Sequence, residues 1–175
     1  MRTVPPCLEA DMPAVAAIYA HNVRYGTASF ETEPPTLDEM CRRRHDILAK
    51  GLPYLVAVSA DVVVGYTHAG TWRPRPAYRD TVEDSINVHP ECVGRGIGKL
   101  LLPALVAECE TRDLRQMIAV VGDSANLASI RLHERCGFER TGTLRSVGYK
   151  PGRWLDSVLL QRSPGPGDTA PPARP

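Results

Sequence analysis

Three glycines alternate along one short stretch of the chain, at Gly94, Gly96 and Gly98, and Arg95 lies between the first two. Glycine loses more conformational entropy on folding than any other residue, so this spacing indicates a local need for backbone without side chains. At a strand-to-helix junction such backbone lets consecutive N–H groups approach one anion, and the helix dipole adds to the attraction. We therefore predict an anion site here, most naturally for a phosphate group.

The G-x-G-x-G spacing also narrows the kind of phosphate ligand. A Rossmann dinucleotide site needs G-x-G-x-x-G and an acidic residue about twenty positions further on, where this chain has Ile118. A P-loop needs G-x-x-x-x-G-K-[ST], which is absent from the sequence. The pattern therefore favours neither of these nucleotide-binding folds.

The elements that must position this junction follow a mixed α/β pattern. Periodic apolar residues and capping residues predict helices that begin at Asp11 and Thr36 and helices at about 96–112 and 126–136. Apolar and β-branched runs predict strands at 2–7, on both sides of a turn at 59–61, at 82–88, at 116–121 and twice within 138–162. The glycine stretch thus lies between a strand and a helix.

Composition excludes several classes of function. Lys and Arg number 21 and Asp and Glu 20, so no strong field points to nucleic acid or to an anionic membrane as a partner. No apolar run approaches the ~20 residues of a membrane span, and the N-terminus shows no apolar signal segment. The five cysteines have neither disulfide-framework nor metal-ligand spacing, which favours the cytoplasm and predicts no metal.

The chain is long enough, at 175 residues, for one domain with a substantial core. We expect this domain to span residues 1–162. The last thirteen residues, 163–175, include five prolines and two glycines, a composition that predicts a disordered tail. Its deletion is then expected to leave thermal stability and turnover nearly unchanged, because such a tail buries nothing.

Two stretches resemble a known family. The segment Val93–Gly98 resembles the pyrophosphate loop Q/R-x-x-G-x-G/A of the GNAT superfamily of acyl-CoA N-acyltransferases, although Val93 stands where Gln or Arg is usual. The stretch 126–138 resembles the family signature N-x-x-S/A-x-x-L-[YH]-x-x-x-G-F. The resemblance runs from about Val4 to Arg162 in the same order of elements.

This resemblance implies an α/β (α+β) fold. A single GNAT-like domain would have a central mixed, mostly antiparallel sheet of about seven strands, flanked by about four helices. The resemblance also implies acetyl-CoA as the co-substrate and a homodimer as the assembly. The residues that it assigns to acetyl-CoA are Ile86, Asn87, Val88, Val93, Gly94, Arg95, Gly96, Ile97, Gly98 and Asn126.

Within the family, residues 21–34, 72–91 and 131–156 look like those of the phosphinothricin and methionine-sulfoximine N-acetyltransferases. This implies acetyl transfer to the amino group of a small amino-acid-like acceptor, such as phosphinothricin, methionine sulfoximine or methionine sulfone, by direct attack in a ternary complex. Two residues depart from the subgroup's pattern, Glu31 where Arg is common and Leu155 where His is. The expected acceptor-binding residues are Phe30, Trp72, Arg75 and Tyr78.

Acetyl transfer to an amine needs a base near the acceptor. Glu83 lies five residues before Val88 and matches the subgroup's catalytic glutamate by position. Asp84 points to the opposite face of a regular strand, so we expect that both carboxylates cannot serve one pocket. The resemblance further implies a strand bulge at Val88, whose N–H stabilises the oxyanion, and a role for His133, two helical turns after Asn126, at the leaving thiolate.

Two other functions stay open at this point. A protein-modifying acetyltransferase that acts on N-termini or lysines would acetylate peptides but not small amino-acid analogues. A non-catalytic acetyl-CoA-binding sensor, suggested by Val93, would bind the cofactor without turnover. The presence of both Glu83 and His133 speaks against the sensor.

Overall fold

Helices cover both faces of a central sheet in this α+β fold. The computed structural model describes residues 2–150 and 152–173, and within them it contains one seven-stranded sheet and four α-helices. The strands are Arg2–Thr3 (β1), Tyr54–Ser59 (β2), Val62–Thr71 (β3), Thr81–Val88 (β4), Gln116–Gly122 (β5), Glu139–Tyr149 (β6) and Trp154–Arg162 (β7). The helices are Met12–Tyr25 (α1), Leu37–Ala49 (α2), Ile97–Thr111 (α3) and Leu127–Arg135 (α4).

The strand order is β1-β2-β3-β4-β5-β7-β6. Strands β4 and β5 run parallel, and the other neighbouring pairs of described strands are antiparallel. Helix α3 provides the long crossover that a parallel pair requires. The predicted mixed, mostly antiparallel sheet is confirmed.

Local signals explain most element boundaries. The Thr36 side chain accepts a hydrogen bond from the Glu39 N–H at 3.2 Å and caps α2, as its sequence predicts. The carboxylate of Asp11 instead accepts from the N–H of Leu8 at 2.7 Å, one turn before α1. The first predicted strand, 2–7, is shortened to β1, because two prolines within it lack the N–H that a ladder needs.

The two faces of the sheet have separate apolar clusters. Helix α3 covers one face and packs against β2, β3 and β4, and its fully buried Leu102 and Leu105 belong to an apolar cluster that continues into β5 and β7. Helix α1 covers the other face, where Val15 and Ile18 pack near Tyr66 of β3. Both helices bury complete apolar side chains, each of which stabilises the fold by about 1.5–3 kcal/mol.

Strand β4 is paired unequally on its two sides. Its ladder with β3 runs over the whole strand, from Val82 to Val88. Its described ladder with β5 consists of three pairs, which end at Glu83 opposite Ile118. Beyond that point β4 and β5 separate and leave a gap within the sheet.

The segment after β7 differs from the disorder that its composition predicts. The buried guanidinium of Arg115 donates hydrogen bonds of 2.9–3.2 Å to the carbonyls of Gly167, Ala170 and Pro171. Asp113 accepts from Nε of the same arginine at 2.8 Å. Backbone carbonyls of a proline-rich segment that lack other partners can accept hydrogen bonds, and one arginine can donate to several of them. The predicted disorder is therefore corrected for residues 163–173. Arg174 and Pro175 lie outside the described residues.

Deletion of residues 164–175 is accordingly expected to lower the melting temperature by about 2–8 °C. A hydrogen bond to a charged group contributes about 1.5–3 kcal/mol, partly offset by the entropy of ordering the segment, and 1 kcal/mol is worth roughly 2–4 °C in a chain of this size. Calorimetry of the full and truncated chains measures the change. As a control, Arg115→Gln should destabilise the full chain and leave the truncated chain unchanged. Identical melting temperatures for the full and truncated chains would rule out a docked tail.

Candidate active site

A cavity of about 440 Å³ lies where β4 and β5 separate. Its walls come from segments 28–31, 83–87 and 119–122 and from Tyr19, Asn126, Ser129, His133 and Ser157. The predicted site residues among them are Phe30, Glu83, Ile86, Asn87, Asn126 and His133. The sheet therefore brings together residues from the expected acceptor, base and cofactor sets.

Glu83 lies at the last position where β4 pairs with β5. Burial raises the pKa of its carboxyl, the negative charge of Asp84 raises it further, and the positive charge of Arg73 opposes the rise. A general base works best when its pKa lies near the operating pH. The environment of Glu83 therefore shifts this carboxyl toward the range in which it can take a proton from an amine.

His133 on α4 is buried, and both of its ring nitrogens have partners. Nε2 lies 3.0 Å from Oδ2 of Asp84, and Nδ1 lies 2.8 Å from the carbonyl oxygen of Ser129. Burial by itself would lower the pKa of His133, but the hydrogen bond and charge of Asp84, with the Ser129 carbonyl, outweigh burial and raise it. The ring of Phe138 meets the imidazole edge to face at 5.1 Å, so the histidine is held in one orientation.

The cavity reaches both faces of the sheet. Asp84 faces His133 of α4, whereas Asn87, on the Glu83 side of β4, accepts a hydrogen bond of 3.0 Å from Asn22 of α1. Glu83 and Asp84 nevertheless both line the cavity. The prediction that both carboxylates cannot serve one pocket was wrong. The cavity passes through the gap between strands β4 and β5, so side chains on both faces of β4 line it.

The backbone N–H of Val88 points toward the gap between β4 and β5, but no strand bulge turns it there. The register between β3 and β4 continues from Val82 to Val88 without a shift, so the predicted bulge at Val88 was wrong. The N–H of His89 donates to the Val64 carbonyl of β3 at 2.9 Å. Because backbone groups alternate along a strand, the N–H of Val88 points away from β3 and toward the gap beside β5.

The glycine stretch contains two kinds of glycine. Gly94 and Gly96 have φ values of +77° and +82°, which favour glycine, and Gly96 directly precedes the first residue of α3. The first N–H groups of α3 have no partner within the helix and open beside these two glycines. Gly98 differs, because a Cβ there would lie 2.7 Å from Cδ2 of Leu132. Its glycine allows α3 and α4 to pack closely.

The predicted anion loop has three other side chains, of which Val93 and Arg95 are exposed, whereas Ile97, the first residue of α3, is buried. The backbone carbonyl of Arg95 accepts a hydrogen bond of 2.7 Å from Nη1 of Arg2, which links the loop to β1. None of the three side chains lines the cavity between β4 and β5. The anion loop therefore lies outside the cavity wall.

Three of the expected acceptor-binding residues do not line the cavity. Trp72, Arg75 and Tyr78 lie on the largely exposed segment before β4. Arg73 of the same segment lies over the Trp72 ring, 5.0 Å from its centroid, and its charge acts on the pKa of Glu83. Arg73, to which no sequence pattern assigned a role, is thus the cation of this segment that acts on the pKa of Glu83.

The segment 27–31, of which residues 28–31 line one side of the cavity, is tied to distant parts of the chain. Nζ of Lys150 donates to the carbonyl oxygens of Ser29 at 2.9 Å and Glu31 at 2.7 Å. The Glu31 carboxylate pairs with Nη1 of Arg43 at 2.7 Å. Two hydrogen bonds to backbone carbonyls and one ion pair of the Glu31 side chain therefore hold the segment in place.

The sequence profile of the Acetyltransferase (GNAT) family matches residues 15–138. The chain belongs to the GNAT family. It is an acyl-CoA-dependent N-acetyltransferase, and the site described above is the candidate active site of this GNAT enzyme.

Individual relatives cover nearly the whole chain. Phosphinothricin N-acetyltransferase of Alcaligenes faecalis is 52% identical over 170 residues, which cover 97% of this chain and 86% of the relative. L-Methionine sulfoximine/L-methionine sulfone acetyltransferase of Pseudomonas aeruginosa is 39% identical over 163 residues, 93% of this chain and 94% of the relative. The crystal structure of a GNAT superfamily phosphinothricin acetyltransferase from Sinorhizobium meliloti in complex with AcCoA superposes with a TM-score of 0.96 at 42% identity, covering 99% of this chain and 94% of that chain.

Several residues of the GNAT cavity carried no signal that the sequence analysis used. Tyr19 and Ser29, whose hydroxyls lie 3.0 Å apart, come from α1 and the segment after it. Ser85 lies two positions after Glu83 on the same face of β4, so strand alternation alone would have found it. Tyr19 and Ser29 have no comparable periodic relation to any predicted residue.

The described residues of this GNAT enzyme contain neither a candidate metal site nor a candidate membrane-spanning helix. In the part of the chain that the structure describes, no group of three or more His, Cys, Asp or Glu side chains could hold a metal ion. Among the same residues, no helix has both the length and the apolar composition to cross a membrane.

Gly122→Ala is expected to raise the KM of the GNAT enzyme for its acceptor by about tenfold. An added Cβ at Gly122 would lie 2.6 Å from the carbonyl oxygen of Thr27 and 2.9 Å from that of Ala28, so the segment 27–31 must move. Steady-state kinetics with each substrate varied in turn should show a much smaller change in the KM for acetyl-CoA. Gly142→Ala on β6 is the matched control, because its added Cβ would meet nothing within 4 Å. An acceptor KM that is the same in both variants would refute the role of this segment.

Proposed function

We propose that this enzyme transfers the acetyl group of acetyl-CoA to the amino group of a small amino-acid-like acceptor of the phosphinothricin, methionine sulfoximine or methionine sulfone type. The observation that carries the proposal is the cavity between β4 and β5, in which the raised-pKa carboxyl of Glu83 lines the wall. The names of the two relatives support the same class of acceptor.

Acetyl-CoA binds along strand β4, which lines this cavity, and along the glycine loop that follows β4 outside the cavity wall. The left-handed backbone of Gly94 and Gly96 and the first N–H groups of α3 fit a diphosphate, because they offer donors without side chains. The backbone groups of Ile86 and Val88 that face the gap fit the amide groups of an extended ligand, as an open sheet edge does. Asn126, at the start of α4, borders the same cavity.

Glu83 acts as the general base. It takes a proton from the acceptor ammonium, directly or through a water molecule, and the free amine then attacks the thioester carbonyl carbon. The Val88 N–H faces the gap and stabilises the negative charge that develops on the carbonyl oxygen. His133 supplies a proton to the sulfur that leaves when the C–S bond breaks.

The acceptor is held between the segment 27–31 and the segment before β4. Phe30 provides an apolar surface in the cavity. The acceptor carboxylate needs a cation, and Arg73 is the first choice because its charge already acts on Glu83. Arg75 and Tyr78, which were expected in this role, come second because, unlike Arg73, they are not among the groups that shift the pKa of Glu83.

A turnover screen with acetyl-CoA tests the proposed function. Phosphinothricin, methionine sulfone and methionine sulfoximine should be acetylated faster than unmodified methionine and faster than short peptides. Acetylation of peptides without acetylation of the amino-acid analogues would instead support a protein-modifying enzyme. Binding of acetyl-CoA without turnover of any amine would support a sensor.

We further propose that the enzyme works in the cytoplasm as a homodimer. All five cysteines carry free thiols, which suits a reducing compartment. Strand β6 forms one margin of the sheet and exposes Leu144, Val147 and Tyr149, and Trp154 of β7 is exposed beside it. Light scattering of the purified chain tests the dimer, and a monomeric mass at micromolar concentration would contradict it.

A further inference from the structure

Asp84 is a buried acid on a face of β4 that is otherwise apolar. Its side chain and that of His133 are each 2% exposed. On the same face of the strand, Val82 is fully buried and Ile86 packs against the core. Since a polar side chain is costly to bury unless it is hydrogen-bonded, the contact with His133 is what accommodates Asp84 on this face.

The hydrogen bonds of the pair determine how many protons it holds. The carbonyl of Ser129 can only accept, so Nδ1 of His133 carries a hydrogen. The contact between Nε2 and Oδ2 of Asp84, at 3.0 Å, needs a second proton, which lies on the imidazole if Asp84 is ionised. The pair therefore stores one proton more than a neutral histidine beside a carboxylate would.

Few other titratable groups face this pair. Oδ1 of Asp84 is buried and has no hydrogen-bond partner among residues 2–150 and 152–173. The thiols of Cys109 on α3 and Cys136 after α4 feel the charge of Asp84, but burial raises the pKa of both, to about 12 for Cys109, so both stay neutral. Glu83, the next residue on β4, points to the other face.

We propose that Asp84 is a positioning residue, which holds His133 in its protonated form and in the orientation from which it supplies a proton to the leaving sulfur. The inference rests on the proposed acetyl transfer. Asp84 acts through His133 and does not itself need to touch either substrate. Because Oδ1 of Asp84 has no hydrogen-bond partner, His133 on Oδ2 is the group that balances the charge of this carboxylate.

The step balances in atoms and electrons. The amine nitrogen forms a bond to the carbonyl carbon, the C–S bond breaks, and its electron pair stays on sulfur. Sulfur replaces Asp84 as the acceptor of the Nε2 proton of His133 and takes it. The nitrogen loses two protons between ammonium and amide: Glu83 takes the first before the attack and passes it to solvent, and then takes the second as the amide forms. The lone pair on Nε2 then faces the negative carboxylate of Asp84, and this repulsion favours renewed protonation from solvent.

Titration of the imidazole by NMR tests the proposal without any substrate. In the unmodified enzyme, the resonances of His133, assigned by their loss in His133→Phe, should show a pKa above the usual histidine value. In Asp84→Asn, which keeps the shape, the pKa should fall by about 1–3. A pKa of His133 at or below the usual value in the unmodified enzyme would overturn the proposal, and this arm holds even if Asp84→Asn does not fold.

Kinetics separate positioning from a merely structural role. Asp84→Asn should lower kcat roughly tenfold at pH 8, in step with the loss of the imidazolium, with both KM values nearly unchanged. In a His133→Phe background the same substitution should lower kcat no further, because the two residues act as a unit. An unchanged kcat, or equal losses in both backgrounds, would overturn the proposal.

Glu108→Gln is the matched control. Glu108 is a carboxylate that also pairs with a cation, Arg112, but on the surface of α3. Its replacement should leave both the His133 titration and kcat unchanged. If no amine is acetylated by any variant, the proposed function fails, whereas the NMR titration still decides whether Asp84 keeps His133 protonated.

Discussion

Replacing Glu83 with Gln should lower kcat at neutral pH by about 10²–10⁴-fold, the usual contribution of general-base catalysis. The amide keeps the shape of the carboxyl but cannot take a proton. Much of the rate should return as the pH approaches the pKa of the acceptor amine, because the free amine then needs no base. Stopped assays of acetyl-CoA turnover from pH 6 to 10 measure both effects.

The pH profile of the unmodified enzyme gives a second readout of Glu83. A base must be ionised to act, so activity should fall as the pH drops through the pKa of Glu83, and burial places that fall above the ordinary range of a glutamate. This acidic limb should disappear in Glu83→Gln. A variant with unmodified rates across the whole pH range would exclude Glu83 as the base and leave His133 to be tested in its place.

His133→Phe is the comparison that separates the two ionisable residues. Its loss in kcat should be smaller than that of Glu83→Gln, because a thiolate is already a tolerable leaving group at neutral pH. Alkali should not restore the rate, since the missing group acts as an acid. Calorimetric affinity for acetyl-CoA should be retained in Glu83→Gln, because Glu83 acts on the acceptor amine.

Gly96→Val is expected to raise the dissociation constant for acetyl-CoA at least tenfold, about 1.4 kcal/mol. A β-branched residue is strained at a φ of +82°, so the loop must change its backbone conformation. The first N–H groups of α3 then no longer converge on the diphosphate. Isothermal titration calorimetry with acetyl-CoA measures the change.

Gly51→Val is the matched control for this effect. Gly51 also has a left-handed φ of +72° and open space around an added Cβ, but it lies in the turn after α2. Both variants should lose stability to backbone strain, and only Gly96→Val should lose affinity. Equal affinity in a folded Gly96→Val variant would exclude the glycine stretch as the cofactor site.

The fold was largely predictable because its elements carry local signals. Thr36 caps α2 through a residue three positions away, and the turn between β2 and β3 lies between two β-branched runs. The glycine stretch was predictable for the same reason, since an alternation of glycines is visible within five residues. Gly98 shows the limit of that reasoning, because its requirement comes from Leu132 on another helix.

The parts that sequence did not predict depend on contacts between distant residues. Asp84 and His133 are 49 positions apart, and Lys150 holds a segment 119 to 121 positions before it. The order of strands in the sheet brings these residues together, and short patterns do not encode that order. The contacts of the tail were not predicted for the same reason. The composition of the tail gives no sign of Arg115, which lies 52 to 56 positions earlier and donates to the tail carbonyls.

The separation of β4 from β5 also makes the stability of the folded chain depend on what binds between these strands. The backbone groups of Ile86 and Val88 that face the gap form an open edge in the interior of the sheet rather than at its margin. A ligand that bridges this edge binds the native chain and not the unfolded one, and so adds about 2.7 kcal/mol of stability at a hundred times its dissociation constant. In the binding mode proposed above acetyl-CoA is such a ligand, so the free energy of unfolding of the enzyme is expected to rise with the concentration of acetyl-CoA.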